Sequence, residues 1–190
     1  RLQKSGTGER CWNLAYMAQG AFFRPISSDD GQSGPRPHIG LIDELHEHKT
    51  NTVVEMMRAG TKSRRQAMIF MITNAGHNRM GPCWSYHEYG AKVAAGEVED
   101  DAFFPFVCSL DESDDPFADE TCWPKANPSL QDADLPGMKY IREQVVEAKG
   151  MPSTEAIVRR LNLCPWTDAA SPWISGAVWR GAPRDFDWPD

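Results

Sequence analysis

Two short polar clusters, each following an apolar run, hold the residues best suited to chemistry. Asp43 and Glu44 follow His38 to Ile42, and Thr73, Asn74 and Ala75 follow Ala67 to Ile72. Hydrolysis of a nucleoside triphosphate needs Mg2+ near the β- and γ-phosphates and a water aimed in line at the γ-phosphorus. A carboxylate at a strand tip holds a metal-bound water, a role that suits Asp43. A second carboxylate beside it polarises the attacking water, a role that suits Glu44. A Thr hydroxyl and an Asn amide hold the γ-phosphate or the water by hydrogen bonds, which suits Thr73 and Asn74. Contacts made only while the γ-phosphate is present switch a neighbouring loop and so link nucleotide state to motion. Alone, each cluster has a plainer reading: an acidic loop after a strand, and a turn rich in turn-forming residues. It is the pair that points to a phosphate site.

Other candidates are weaker. His46, Glu47 and His48 place two histidines at i and i+2, whereas the H-E-x-x-H zinc motif needs i and i+4 on one helix face. Surface or supporting histidines are the safer reading, with His46 near the nucleotide site. His77 and His87 have no partner pattern. No G-x-x-x-x-G-K-S/T occurs, and the Ser5-Gly6-Thr7-Gly8 stretch lacks both the Lys and a preceding apolar strand. The loop that cradles phosphates is therefore missing from these residues. No cluster resembles a Ser/His/Asp nucleophile set. The five cysteines are odd in number and form no C-x-x-C, which argues against a disulfide framework or zinc knuckle and fits a reducing compartment.

These side chains need elements to position them. His38 to Ile42 and Ala67 to Ile72 are short continuous apolar runs of the kind that form buried strands. Thr50 or Asn51 is placed to cap a helix through about Ala59, stopped by Gly60, with Val53, Val54, Met56 and Met57 as its apolar face. Strand, acid pair, helix, strand and polar tip together describe a crevice at the carboxyl ends of a parallel sheet. Elsewhere, 11–20 reads as a short helix or irregular segment and 21–37 as a loop. Trp84 to Ala95 reads as a helix ending at Gly96. Residues 102–110 suggest a strand confined by Pro105 to an edge or bulge. A surface loop follows over 111–120, then a helix over 137–149. Another helix is capped by Ser153, with Ile157, Leu161 and Cys164 on one face. From Pro165 onward the chain reads as a linker or frayed end.

At 190 residues the length fits one domain, or one domain with a tail. No apolar stretch approaches the roughly 18 residues of a membrane span. The net charge of −7 is unevenly spread. Residues 1–96 hold 12 Lys and Arg against 8 acids, whereas 97–120 hold 10 acids and no Lys or Arg. The chain as a whole is no generic polyanion binder. A local DNA-facing patch would rest on Arg58, Lys62, Arg64 and Arg65, and the plainer reading of that cluster is a solvated helix end.

Taken together, the motifs resemble the large subunit of tailed-phage terminases, the motor that packages DNA into a procapsid. The likeness runs through FFRPISS (22–28), GPRPHIGLIDELHEH (34–48), VVEMMRAGTKSRRQAMIFMITNAGHNR (53–79) and WSYHEYGAKVAAGEVEDDAFF (84–104). It continues through DDPFADETCWPKANPSL (114–130) and MPSTEAIVRRLNLCPW (151–166), covering most of the chain. The resemblance implies an α/β fold: a partial P-loop NTPase core of ASCE or RecA-like type, with a mostly parallel sheet flanked by helices, followed by a small helical linker. Residues 1–150 would be the C-terminal portion of the ATPase domain and 151–190 the linker toward a nuclease lying downstream of Asp190. Asp43 would be the Walker B acid associated with Mg2+ and Glu44 the catalytic carboxylate. Thr73, Asn74 and Ala75 would fall on the coupling motif, with His46 among the nucleotide-facing residues. ATP and Mg2+ would be the cofactors. The partners would be double-stranded DNA, a portal protein, a small terminase subunit and further copies in a ring, in the cytoplasm of a bacterial host. The Walker A loop would lie upstream of Arg1, so this stretch alone would hydrolyse ATP poorly. The loop from Asp29 to Gly34 is shorter than the family's. Asp185, Asp187 and Asp190 do not sit on an apolar strand, so no nuclease role is carried onto them. A DExH-type helicase segment fits Asp43 to His46 but calls for Ser-Ala-Thr at the second cluster. A non-catalytic prophage remnant is the other alternative.

Overall fold

A computed structural model describes residues 2–6, 12–27, 34, 36–132, 137–167 and 181. Two compact units share the chain: Arg1–Gly40 with Thr52–Ile69, and Leu41–Asn51 with Phe70–Asp190. Most of the loop expected to be short, Asp29 to Ser33, lies outside the described residues, as do Asp185, Asp187, Asp190 and most of the expected tail.

In the first unit, β1 (Gln3–Ser5), β2 (Asn13–Tyr16) and β3 (Ala21–Phe23) form an antiparallel sheet in that order. Lys4 stands opposite Leu14, and Ala15 opposite Phe22. This corrects the expectation of a helix or irregular segment over 11–20 and of a loop from 21. The strands are three or four residues long, too short for alternation to declare itself in the sequence. Gly20 makes the reversal, with φ of 61° and its N–H donating to the Met17 carbonyl at 3.2 Å. Helix α1 (Thr52–Thr61) buries Val53, Val54 and Met57, while Met56 is only partly covered. It runs through Gly60 rather than stopping there, and the Thr61 hydroxyl donates to the Arg58 carbonyl at 2.7 Å.

Strands β4 (Ile39–Ile42) and β5 (Met68–Met71) pair side by side. The Met68 N–H donates to the His38 carbonyl at 3.0 Å and the Ile72 N–H to the Ile42 carbonyl at 2.9 Å. The pairing advances in the same direction on both strands, so they are parallel and their carboxyl ends coincide. The expected burial on both faces is not found. Ile42 is 4% exposed but Leu41 59%, and Ile39, Met68, Phe70 and Ile72 are also exposed.

In the second unit, α2 (Pro82–Ala94) starts with Pro82 in its first turn and ends before Gly96, close to the expected span. The strand expected over 102–110 does not form. Pro105 has no N–H to pair, and Phe103 and Pro105 lie against α2 where Gly90 leaves room. A Cβ at Gly90 would stand 3.1 Å from Pro105 Cβ. Phe103 packs edge-on to Tyr89, while Phe104 and Phe106 are exposed. Helices α3 (Trp123–Ala126), α4 (Gly137–Gly150) and α5 (Pro152–Leu163) follow. Cys122, Trp123, Ile141, Val145 and Leu163 form their buried core, flanked by Leu110, Phe117, Leu130 and Met138. The Trp123 indole N–H donates to the Pro116 carbonyl at 2.7 Å, satisfying the one polar atom this ring brings inside. Two expectations for α5 are corrected. Met151, not Ser153, is the N-cap. The buried positions are Val158 and Leu163, while Ile157 and Leu161 are 44% and 48% exposed. Two apolar stripes coexist on this helix, and packing against α3 and α4 selects the one the i, i+4 pattern did not.

Candidate active site

The carboxyl ends of β4 and β5 bring the two polar clusters together within the second unit. After Ile42 the chain turns sharply. The Asp43 carboxylate accepts the Glu44 N–H at 3.0 Å, and Glu44 takes the left-handed conformation, φ 49° and ψ 51°. For a side-chain-bearing residue that region costs roughly 1–2 kcal/mol, so the surroundings must enforce it. A single 3-10 turn, Leu45–Glu47, follows. Leu45 is 1% exposed and anchors it, and its N–H donates to the Ile72 carbonyl at 3.4 Å. Asp43 and Glu44 are thereby left at the surface.

From the other strand, Thr73 reaches across. Its hydroxyl oxygen lies 3.0 Å from the His46 backbone N–H and 3.0 Å from His46 Nδ1, and donates to the Asn74 carbonyl at 2.9 Å. The same Nδ1 stands 3.1 Å from Glu44 Oε2, and His46 Nε2 stands 3.2 Å from Glu47 Oε1. One imidazole atom therefore touches both the Glu44 carboxylate and the Thr73 hydroxyl. The His46 side chain is 9% exposed while Glu44 is 56% exposed. The ring is fixed and the carboxylate has room to move. Asn74 and Ala75 are partly covered, with Cys164 Sγ 3.9 Å from Asn74 Oδ1.

Several participants escaped sequence reasoning. Cys83, at the start of α2, places its Sγ 3.5 Å from Thr73 Oγ1. Burial pushes the Cys83 thiol up, outweighing the opposite pull of its Thr73 hydrogen bond. Burial also raises Cys164, against a backbone bond from Ala75. Gly76 is buried, and a Cβ there would stand 3.3 Å from both His46 Cβ and Trp166 Cζ3. The glycine of the Thr-Asn-Ala-Gly turn was the available signal, since a side chain there would press on both neighbours. Nothing in the sequence marked Trp166, which packs edge-on to Trp84 at 4.7 Å and against His87 at 5.4 Å. Burial lowers the His87 pKa, opposed by Glu88. His77 Nδ1 lies 3.3 Å from an Arg160 guanidinium nitrogen. His77 and His87 thus have partners no local pattern announced.

The basic residues belong to the first unit. Arg58 lies on the last turns of α1, and Lys62, Arg64 and Arg65 follow that helix. All four are exposed. Arg64 is engaged: its guanidinium donates twice to the Arg36 carbonyl, at 3.0 and 3.3 Å, tying the approach to β4 to the turn before β5.

The donor set at the strand tips suits a hydrated Mg2+. Carboxylate oxygens at the surface are the hard ligands this ion takes, with most of its water retained. Asp43 keeps its carboxylate at the strand end with one oxygen tied to the turn. Among the described residues no helix is long and apolar enough to cross a membrane.

The chain is similar to known proteins along most of its length. A family model for the terminase large subunit ATPase domain matches residues 15–92, and one for the terminase large subunit endonuclease domain matches 97–187. Protein YmfN of Escherichia coli K12 is 30% identical over 151 residues, 77% of this chain and 32% of that protein. The crystal structure of the HK97 bacteriophage large terminase shares the fold, with a TM-score of 0.71 and 19% identity. That likeness covers 94% of this chain and 36% of the phage protein. The chain thus spans about a third of the length of each of these relatives.

Proposed function

Because the chain belongs to the terminase large-subunit family, we propose that it supplies the hydrolytic half of an ATP-driven motor that moves double-stranded DNA into a phage procapsid. The observation that carries the proposal is the meeting of Glu44 and Thr73 on His46 Nδ1, at the coincident ends of two parallel strands. Asp43 would hold a water of a bound Mg2+ and Glu44 would polarise the attacking water. Thr73, Asn74 and Ala75 respond to the γ-phosphate, and His46 stands behind them. ATP bound with Mg2+ supplies the phosphoanhydride whose cleavage drives the cycle. Arg58, Lys62 and Arg65 form the DNA-facing patch, with Arg64 holding the turn that presents them. In the working assembly the partners are DNA, the portal, a small terminase subunit and further copies in a ring, within the bacterial host cytoplasm. The terminase family match favours the motor reading over the helicase alternative.

Residues 151–190 serve in this reading as the connection toward the nuclease, and 1–150 as the later part of the ATPase domain. Helix α5 and the lack of any strand among the described residues of 97–167 support this. The endonuclease-domain match begins earlier, at 97. A nuclease of RNase H type places its metal-binding acids on strands, which α3 to α5 do not offer.

Thr73→Ala in a full-length large subunit carrying this sequence tests the motor reading. DNA translocation should fall at least tenfold while ATP affinity stays within about twofold, read by single-molecule packaging and by fluorescent-nucleotide titration. Equal losses in both would remove the coupling role.

A further inference from the structure

We infer that one exposed face of the β1–β3 sheet is a stacking surface for the bases of single-stranded nucleic acid. The inference stands apart from the hydrolytic reading of Glu44 and needs nothing from it.

Strand register decides which side chains share this face. Lys4, Leu14 and Phe23 form one row across the three strands, and Tyr16 and Ala21 belong to the next. Trp12 continues the alternation two residues before Leu14, and its backbone N–H donates to the Ser5 carbonyl at 2.8 Å. Asn13 and Ala15 point the other way and are partly covered, so β2 alternates in burial. The first face is open: Phe23 is 56% exposed, Trp12 53% and Tyr16 39%. Tyr16 and Phe23 are diagonal neighbours, with backbones roughly 7–8 Å apart. Three flat rings therefore stand side by side on a hydrogen-bonded support.

Charge selects the occupant. The described residues of 2–27 include no acid, in a chain whose net charge is −7. Lys4 and Arg24 are exposed and take part in no ion pair among the described residues. An apolar partner laid on this face would bury the Lys4 ammonium with no carboxylate on the sheet to pair it, a costly arrangement. A nucleic-acid strand covers the rings with its bases and meets Lys4 and Arg24 with phosphates. Every base offers a flat face, so such a surface reads no particular sequence. Bases in a duplex are already stacked on one another, so the surface takes unpaired strands.

Fluorescence anisotropy of the 190-residue chain with a labelled oligothymidylate tests this. A probe of about 12 nucleotides is within the span that small single-strand sites occupy. It should bind, and an about tenfold excess of duplex of the same length should not displace it. Tyr16→Ala and Phe23→Ala should each weaken binding at least about fivefold. Phe22→Ala, on the opposite face of β3, should leave it within about twofold. Phe23→Trp keeps a stacking ring, so it should retain binding and guards against misfolding of the alanine variant. With phosphates at both Lys4 and Arg24, log Kd should rise with log salt with a slope of about 1.4, falling to about 0.7 in Lys4→Gln. Absence of binding, displacement by duplex, or equal losses from Phe22→Ala and Phe23→Ala overturns the inference. So does ultraviolet cross-linking of a bromodeoxyuridine strand to a full-length large subunit carrying this sequence, if no adduct maps to Trp12, Tyr16 or Phe23.

Discussion

At the residue scale, conformation at Glu44 separates what the backbone favours from what the proposed chemistry needs. A left-handed, side-chain-bearing residue persists only where neighbours enforce it. Here Leu45 is buried behind it and Asp43 accepts its N–H. Asparagine tolerates this region better than glutamate. Glu44→Asn should therefore leave thermal stability unchanged or raise it by up to about 1 kcal/mol, by calorimetry, while ATP turnover is lost. A marked fall in melting temperature would show that the Glu44 side chain stabilises the turn. Asp43, Glu44 and Thr73 were legible because an apolar run that empties into polar residues marks a strand tip. Left-handed backbone at a glutamate leaves no such mark. Neither does the reach of Cys83 and Trp166 into the site, since each depends on contacts between distant stretches of chain, whereas His46 was already expected near it.

At the element scale, what could be read depended on length. Helices α1, α2 and α4 have enough turns for periodicity and capping to show. Strands β1 to β3 do not, and the apolar run at 102–110 imitates a strand while packing on α2. For α5, composition could not say which of two stripes faces the core. The helical part carries an acid-sensitive set of pairs. A hydrogen bond from Lys125 holds Asp114 below its ordinary range, one from Thr121 does so for Asp119, and one from Arg142 for Glu120. Asp111 and Asp114 in turn raise Lys125. Carboxylates depressed on folding contribute stability above their unfolded pKa of about 4 and lose it as pH falls further. The melting temperature should thus be level from about pH 7 to 5 and decline below about 4. Glu120→Gln should flatten part of that decline, measured by circular dichroism. These pairs are solvent-exposed, so the effect should also weaken in high salt. An unchanged acid limb in the variant would remove the Arg142 pair from the account.

At the scale of the whole molecule, the β4–β5 pair is less covered than its composition would suggest. Ile39 and Leu41 on β4, and Met68 and Phe70 on β5, are about half exposed, as is Ile72 just beyond. The runs read as buried strands because their composition is that of strands covered on both faces. Relatives about three times as long match over this region, and cover of that kind belongs to the assembled motor in the proposed reading. The family was legible in the sequence because many modest motifs occur in one order. Their combination, not any single cluster, carries the specificity. In the proposed reading the chemistry is local: the Glu44 carboxylate at one strand end would activate water against a γ-phosphate sensed from the other. The most direct test is ATP hydrolysis by Glu44→Gln in a full-length large subunit carrying this sequence. Nucleotide affinity should persist within about twofold while turnover falls by at least about a hundredfold. Turnover within a few-fold of the unchanged protein would contradict the account.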